Sequence, residues 1–217
     1  MNPAGVATSS SAGPVRVLLA ALLVLLCVCW LDVPLAYWVR DHLYVPGTWS
    51  RFTSDLPDLL LQVVIVTSAI SWLCYRMRHN WRLGDPLGRL VLLNAWLPPV
   101  AYLVKALAKP VFGRVNTRVW LQEPGLYGFH WFEFRPDCQG FPSGHMVVLV
   151  ASLAAVARCY PRLRPACTAF GVLIGGALVA TDYHFLSDVL AGALLGVLVE
   201  RAVSALLERS TACAGKR

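Results

Sequence analysis

Six apolar runs joined by short charged connectors restrict this chain more than any other feature. Val17–Leu31 carries no charge, Leu59–Tyr75 is interrupted only by Gln62 and small hydroxyls, and Leu90–Val104 holds Asn94 and the pair Pro98-Pro99. Met146–Ala157, Ala166–Ala180 and Val189–Val199 complete the set. A helix that spans the hydrocarbon layer needs about 20 residues. The last three runs reach that length only when the polar residues beside them are included, which places those residues at headgroup level or slightly below it. Charged residues make up 14% of the chain and hydrophobic ones 57%, whereas soluble domains carry about a quarter charged residues. The expectation is an all-α integral membrane protein with six transmembrane helices in one bundle.

Basic residues concentrate in cytoplasmic loops, and their placement predicts the orientation. With the N-terminus inside, the inner segments hold Arg16, then Arg76, Arg78, Arg82 and Arg89, then Arg158, Arg162 and Arg164, with Arg201, Arg209, Lys216 and Arg217 at the end. The outer segments hold Arg40, Arg51, Lys105, Lys109, Arg114, Arg118 and Arg135. Most of these fall in the single outer loop of residues 105–142, against the usual bias, and so point to an anion site there. The net charge of +7 thus combines a topology signal inside with a ligand signal outside, and nothing in the chain suggests nucleic acid. Residues 1–14 are small and polar and read as a disordered cytoplasmic leader. A cleaved signal peptide is the competing reading, but the first run continues through Leu35-Ala36-Tyr37-Trp38 without a convincing cleavage site. The membrane domain then covers 15–209 and a short cytoplasmic tail 210–217. This organisation fits a multi-pass protein of a bacterial inner (plasma) membrane, both termini cytoplasmic and the loop facing the periplasm or exterior. The cysteines, of which only Cys138 lies in an outer loop, do not form a disulfide framework.

Two histidines mark the ends of apolar runs. Pro142-Ser143-Gly144-His145 reads as the entry to the fourth helix, where Ser143 can cap, Gly144 lets a ligand approach the backbone, and first-turn N–H groups attract an anion. An ordinary cap followed by an interfacial histidine is the plainer alternative. His184 and Asp188 are spaced to share one helical face. An aspartate that accepts from one imidazole nitrogen fixes the tautomer and leaves the other as base or nucleophile; mutual satisfaction at the bilayer edge is the plainer reading of this pair too. A metal held by His145, His184 and Asp188 is disfavoured by the neighbouring cations.

Ser143-Gly144-His145 followed by His184-Phe185-Leu186-Ser187-Asp188-Val189-Leu190-Ala191-Gly192 resembles the type 2 phosphatidic acid phosphatase superfamily. The resemblance covers about half the chain, from Lys105 to Gly192. It implies a six-helix lipid phosphate or diphosphate phosphatase with no cofactor or metal and a site on the outer face. By the same resemblance His184 attacks phosphorus to form a phosphohistidine, Asp188 orients it, and His145 protonates the leaving oxygen. Ser143, the Gly144 amide, Lys109, Arg114 and Arg118 then hold the phosphate oxygens, and the partners are the bilayer and an anionic lipid phosphate. His130, Trp131, Glu133, Phe134, Arg135 and Asp137 either read the headgroup or fold over it.

The chain departs from the family pattern at two points. The arginine expected seven residues after a lysine is absent, since Lys109 is followed there by Asn116-Thr117; the nearest fit is Lys109-Pro110-Val111-Phe112-Gly113-Arg114. The arginine expected six residues before His184 is Leu178, so Arg114 or Arg118 is expected to supply that contact. Two other readings remain: a catalytically weakened relative that binds or moves an anionic lipid, and an intramembrane serine protease using Ser143 and His184.

Overall fold

The computed structural model describes residues 12–43, 49–77 and 85–214. All six apolar runs are helical. The first lies in α1 (Ala12–Leu26), which continues through a π-turn at Cys27–Leu31 into α2 (Asp32–His42). The π-turn precedes Pro34, whose ring crowds the carbonyl four residues before it and offers no N–H. Within it the Asp32 N–H bonds to the Cys27 carbonyl instead of the Val28 carbonyl an α-helix would use. Residues 1–11, most of the expected leader, lie outside the described residues, as do Arg78, Arg82, Lys216 and Arg217 of the charge argument.

Helix α3 (Trp49–Met77) pairs with α4 (Pro86–Phe112). Asp85 caps α4 by accepting from Gly88 N–H at 3.2 Å, and Pro86 begins its first turn. Gly113, at φ +54°, ends α4 in the left-handed conformation that glycine adopts without a Cβ clash. The short helix α5 (Thr117–Gln122) follows, capped by Asn116. Then come α6 (Gly144–Cys159), α7 (Arg164–Ala180) and α8 (Leu186–Ala214).

Helix α6 occupies the centre, against α8, α4 and α7. Its Val147, Val148, Ala151 and Ala155 pack with Leu93, Leu97 and Ala101 of α4 and with Val199 and Val203 of α8. Glycines bring α8 this close: a Cβ on Gly196 would lie 2.7 Å from the Val147 carbonyl oxygen. At the far end from His145, Arg158 of α6 forms a two-pronged ion pair with the buried Glu200 of α8, which also accepts from Ser204.

Among the described residues four spans are long and apolar enough to cross a membrane, Gly13–His42, Pro86–Phe112, Pro161–Ala180 and Leu186–Ser210, while Leu61–Met77 and Gly144–Cys159 are shorter apolar helices. The chain is therefore an all-helical integral membrane protein. Three boundaries differ from the sequence reading. Helix α1 starts at Ala12, inside the expected leader, with Pro14 in its first turn, where a missing N–H costs nothing. Helix α8 runs on to Ala214, because no glycine or proline interrupts Ser210-Thr211-Ala212-Cys213. Lys105 and Lys109 belong to α4, so the loop expected to start at residue 105 begins at Gly113.

Candidate active site

The C-terminal ends of α4 and α7 and the starts of α6 and α8 meet at one end of the bundle, where Lys105, Lys109, Ser143, Gly144, His145, His184 and Asp188 lie. Ser143 is buried, and its N–H donates to the Asp188 carbonyl at 3.0 Å. That bond ties the start of α6 to the start of α8. A Cβ on Gly144 would lie 2.7 Å from Cδ and 3.2 Å from Nζ of Lys105, and 3.4 Å from Cε of Lys109. Two ammonium-bearing side chains one turn apart on α4 thus converge on the N-terminus of α6, where the first-turn N–H groups and the helix dipole also favour negative charge.

His145 follows in the first turn of α6. Its ring centroid is 6.0 Å from that of His184, with the planes inclined by 64°, and 5.4 Å from that of Tyr183. His184 is nearly enclosed, in the turn between α7 and α8, where its N–H and that of Tyr183 both donate to the Leu178 carbonyl. Its Nδ1 lies 3.6 Å from Asp188 Oδ2, slightly too long for a hydrogen bond. The same Oδ2 accepts from Phe185 N–H at 3.0 Å, so Asp188 caps the helix that carries it.

Arg114 is placed differently from the sequence expectation. Its side chain is 0% exposed and points away from open space, with Nη1 donating to Asp188 Oδ1 at 2.8 Å and to Ser187 Oγ at 2.6 Å. Its Nη2 donates to Asp32 Oδ2 at 2.8 Å and to Tyr127 Oη at 3.2 Å. The rings of Tyr127, Phe129 and Phe185 surround the guanidinium. Burial opposes its charge, but Asp188 and Asp32 outweigh that and hold its pKa above the ordinary value. Arg114 therefore braces the Asp188 side of the site and has no arm left for a phosphate. The turn at Gly113 sends the chain inward, a change of direction that a lysine-to-arginine spacing does not reveal.

The place of the expected motif-three arginine is also settled differently. Leu178 is almost fully enclosed and packs with Met146, Leu149, Ile174 and Val189. Arg118 donates to the Thr181 carbonyl through Nε (3.3 Å) and Nη2 (3.0 Å), with its guanidinium 5.1 Å above the Tyr183 ring. It props the turn that carries His184. In the loop between α5 and α6 His130 is bonded to the Leu126 carbonyl, and Glu133 accepts from the N–H groups of Phe134 and Arg135. These side chains fold the loop upon itself, while Trp131, Phe132 and Phe134 stand exposed.

Asp32 was not singled out from sequence. It is buried beside Arg114 and Ser187. An acid just past an apolar run and just before Pro34-Leu35-Ala36 was the available signal, because a carboxylate inside a membrane helix is costly unless paired.

A cleft of about 670 Å³ opens beside the histidines between α2, α6, α7 and α8. Met146, Leu186 and Val189 line it near the site, Gly176 midway and Ala157 and Val197 far from it. Among the described residues no group of three His, Cys, Asp or Glu side chains is arranged to hold a metal ion. Nor does the Ser143 hydroxyl bond to a histidine, as a serine–histidine dyad requires.

The family model of the PAP2 superfamily matches residues 91–212, which carry the lysines, both histidines and Asp188. This chain belongs to the PAP2 superfamily. Lipid A 1-phosphatases from Rhizobium etli and Rhizobium johnstonii are each 33% identical to it over 94 residues, 43% of this chain. The matched segment is 40% and 38% of those proteins, so this chain spans less than half the length of the relatives it matches. The crystal structure of a transmembrane PAP2 type phosphatidylglycerolphosphate phosphatase from Bacillus subtilis superimposes with a TM-score of 0.50 at 18% identity, over 89% of this chain and 96% of that one. The PAP2 helical fold is thus common to both.

Proposed function

We propose that this PAP2 protein is a metal-independent phosphatase that removes phosphate from a lipid phosphate or diphosphate at the outer face of the membrane, with six helices crossing the bilayer. The convergence of Lys105 and Lys109 on the N-terminus of α6, together with a pair of histidine rings 6.0 Å apart at the same end of the bundle, supports the reading. Phosphoryl transfer needs in-line positioning and charge neutralisation above all. An attacking nitrogen sits about 3 Å from phosphorus and an acid about 3 Å from the leaving oxygen, and rings at this separation accommodate both.

Nδ1 of His184 faces Asp188, which leaves Nε2 as the nucleophile. Nε2 attacks phosphorus as the bond to the lipid oxygen breaks, and that oxygen takes a proton from His145. Water then attacks the phosphohistidine, its proton goes to His145, and inorganic phosphate leaves. Lys105, Lys109 and the N–H groups at Gly144 and His145 hold the phosphoryl oxygens, where low dielectric strengthens each contact. The lipid tail lies in the cleft that begins at Met146 and Leu186. Between Leu186 and Val197 that cleft follows about 16 Å of helix, at 1.5 Å per residue.

The test is phosphate release by the purified full chain from a panel of phosphatidic acid, phosphatidylglycerol phosphate, a prenyl diphosphate and lipid A, with excess EDTA in one arm. We expect release from at least one lipid, insensitivity to EDTA, and an acid-labile phosphoenzyme absent from His184→Ala. Undiminished labelling in that variant would sink the nucleophile assignment. Binding of these lipids without any release would favour a lipid-binding relative instead.

A further inference from the structure

The N-terminal helix reaches the site through one side chain. Asp32 uses both oxygens there: Oδ1 accepts from Ser187 N–H at 3.0 Å, and Oδ2 accepts from Arg114 Nη2 at 2.8 Å and from the Ser187 hydroxyl. Arg114 passes the connection to Asp188 Oδ1, and Asp188 Oδ2 faces His184 Nδ1. Tyr127 closes the arrangement, donating to the Val28 carbonyl at 2.6 Å, the group the π-turn withdraws from the Asp32 N–H. Asp32 lies outside residues 91–212, so the family match does not include it.

We propose that Asp32 is a positioning residue for His184, acting through Arg114 and Asp188. This rests on the reading of His184 as the nucleophile. Arg114 is a single cation between two carboxylates, each of which competes for its fork. With Asp32 holding Nη2 and the Ser187 backbone, Nη1 is left for Asp188 and the Ser187 hydroxyl. Asp188 is then oriented with one oxygen toward Arg114 and the other toward the imidazole. The 3.6 Å gap to Nδ1 becomes a hydrogen bond through a movement of about half an ångström, and catalytic contacts commonly tighten this way when substrate binds. Without the Asp32 charge, Arg114 turns both arms to Asp188, draws the carboxylate away from His184, and leaves the imidazole free to rotate. Phosphate binding, which uses α4 and the start of α6, is unaffected.

The experiment measures kcat, KM and the rate of phosphoenzyme formation for Asp32→Asn and Ser187→Ala, using the panel lipid that the wild type turns over fastest. Asp32→Asn should lower kcat and labelling at least tenfold with KM within twofold of wild type. In an Asp188→Asn background the same substitution should cost less than twofold more, since residues acting through one partner are not additive. Ser187→Ala, which removes a hydroxyl shared by Asp32 and Arg114 without changing charge, should lower kcat severalfold; it decides the matter if Asp32→Asn does not fold. Wild-type kcat in the folded variants, a change in KM alone, or a full additional loss in the Asp188→Asn background overturns the proposal. A wild type that releases no phosphate from any panel lipid overturns the phosphatase reading, and this proposal with it.

Discussion

A Cβ placed on Gly192 of α8 would lie 2.5 Å from the carbonyl oxygen of Ser143. The start of α6 is therefore seated directly on α8, and only a residue without a side chain permits it. Gly192→Ala should push the two apart at the site. Overpacking of this kind costs about 1–3 kcal/mol, so we expect a lower melting temperature and a loss of turnover. Gly176→Ala, where a Cβ meets nothing within 4 Å, should show neither.

In the proposed site Lys109 keeps its expected role and Lys105 joins it, while Arg114 and Arg118 are engaged by other protein groups. A charge-assisted contact made in the transition state is worth on the order of 3 kcal/mol, about a hundredfold in rate. Lys109→Ala and Lys105→Ala should each lower kcat/KM by ten- to a hundredfold in folded protein. Arg118→Ala should act more weakly, by loosening the Thr181–Tyr183 turn it props. An equal or larger loss in Arg118→Ala would return the phosphate contact to Arg114's neighbour.

Arginine at position 178 should not restore activity. Leu178 packs among Met146, Leu149, Ile174 and Val189, and an unpaired charge there would have to be buried. Leu178→Arg should therefore lower the yield of folded protein. Arg114→Ala should do the same, because it strands Asp32 and Asp188 as uncompensated buried carboxylates, a change of about 3–5 kcal/mol. Thermal melting in detergent checks both.

The cleft makes chain length a readout. Gly176 lines it, with open space where a Cβ would stand, so Gly176→Leu narrows the cleft without disturbing packing. KM should rise severalfold for a long-chain lipid phosphate and stay unchanged for a water-soluble short-chain one. Equal effects on the two would mean that the tail lies elsewhere.

Asp182 gives a pH dependence. It sits at φ +54° in the turn before His184, and burial pushes its carboxyl from 3.8 up to about 6, with Arg118 and Arg40 drawing it partly back. A folded value above the unfolded one means a contribution to stability that is complete below about pH 3.8 and lost as pH rises through about 6. Asn cannot ionise and tolerates a left-handed backbone. Asp182→Asn should therefore melt higher than wild type near neutral pH, with the difference vanishing by about pH 4. A difference that does not change with pH would contradict this.

Much of the molecule was legible in its apolar periodicity and in two short strings. Helices follow from charge-free runs, and the meeting of His145, His184 and Asp188 follows from their places at helix starts. The direction of Arg114 was not legible. It depends on the reversal at Gly113 and on a carboxylate from a helix far away in sequence, neither of which spacing records. Lys105 and Lys109 were expected in the loop, and their aim at Gly144 depends on the continuation of α4 to Phe112 and on how it packs against α6. Leu178 was read as a missing ligand because the motif supplies only a position, whereas the fold there turns inward to the core.

The groups proposed to bind and attack the phosphate, Lys105, Lys109, His145 and His184, stand at one end of the bundle, while the Arg158–Glu200 pair lies at the opposite end. On the proposed function, such a molecule is blind to half of the bilayer. A substrate made in the other leaflet reaches it only after its charged headgroup has been carried across, so the rate in a cell would track lipid flipping as much as chemistry. In sealed vesicles of one protein orientation, turnover should halt once the facing leaflet is spent.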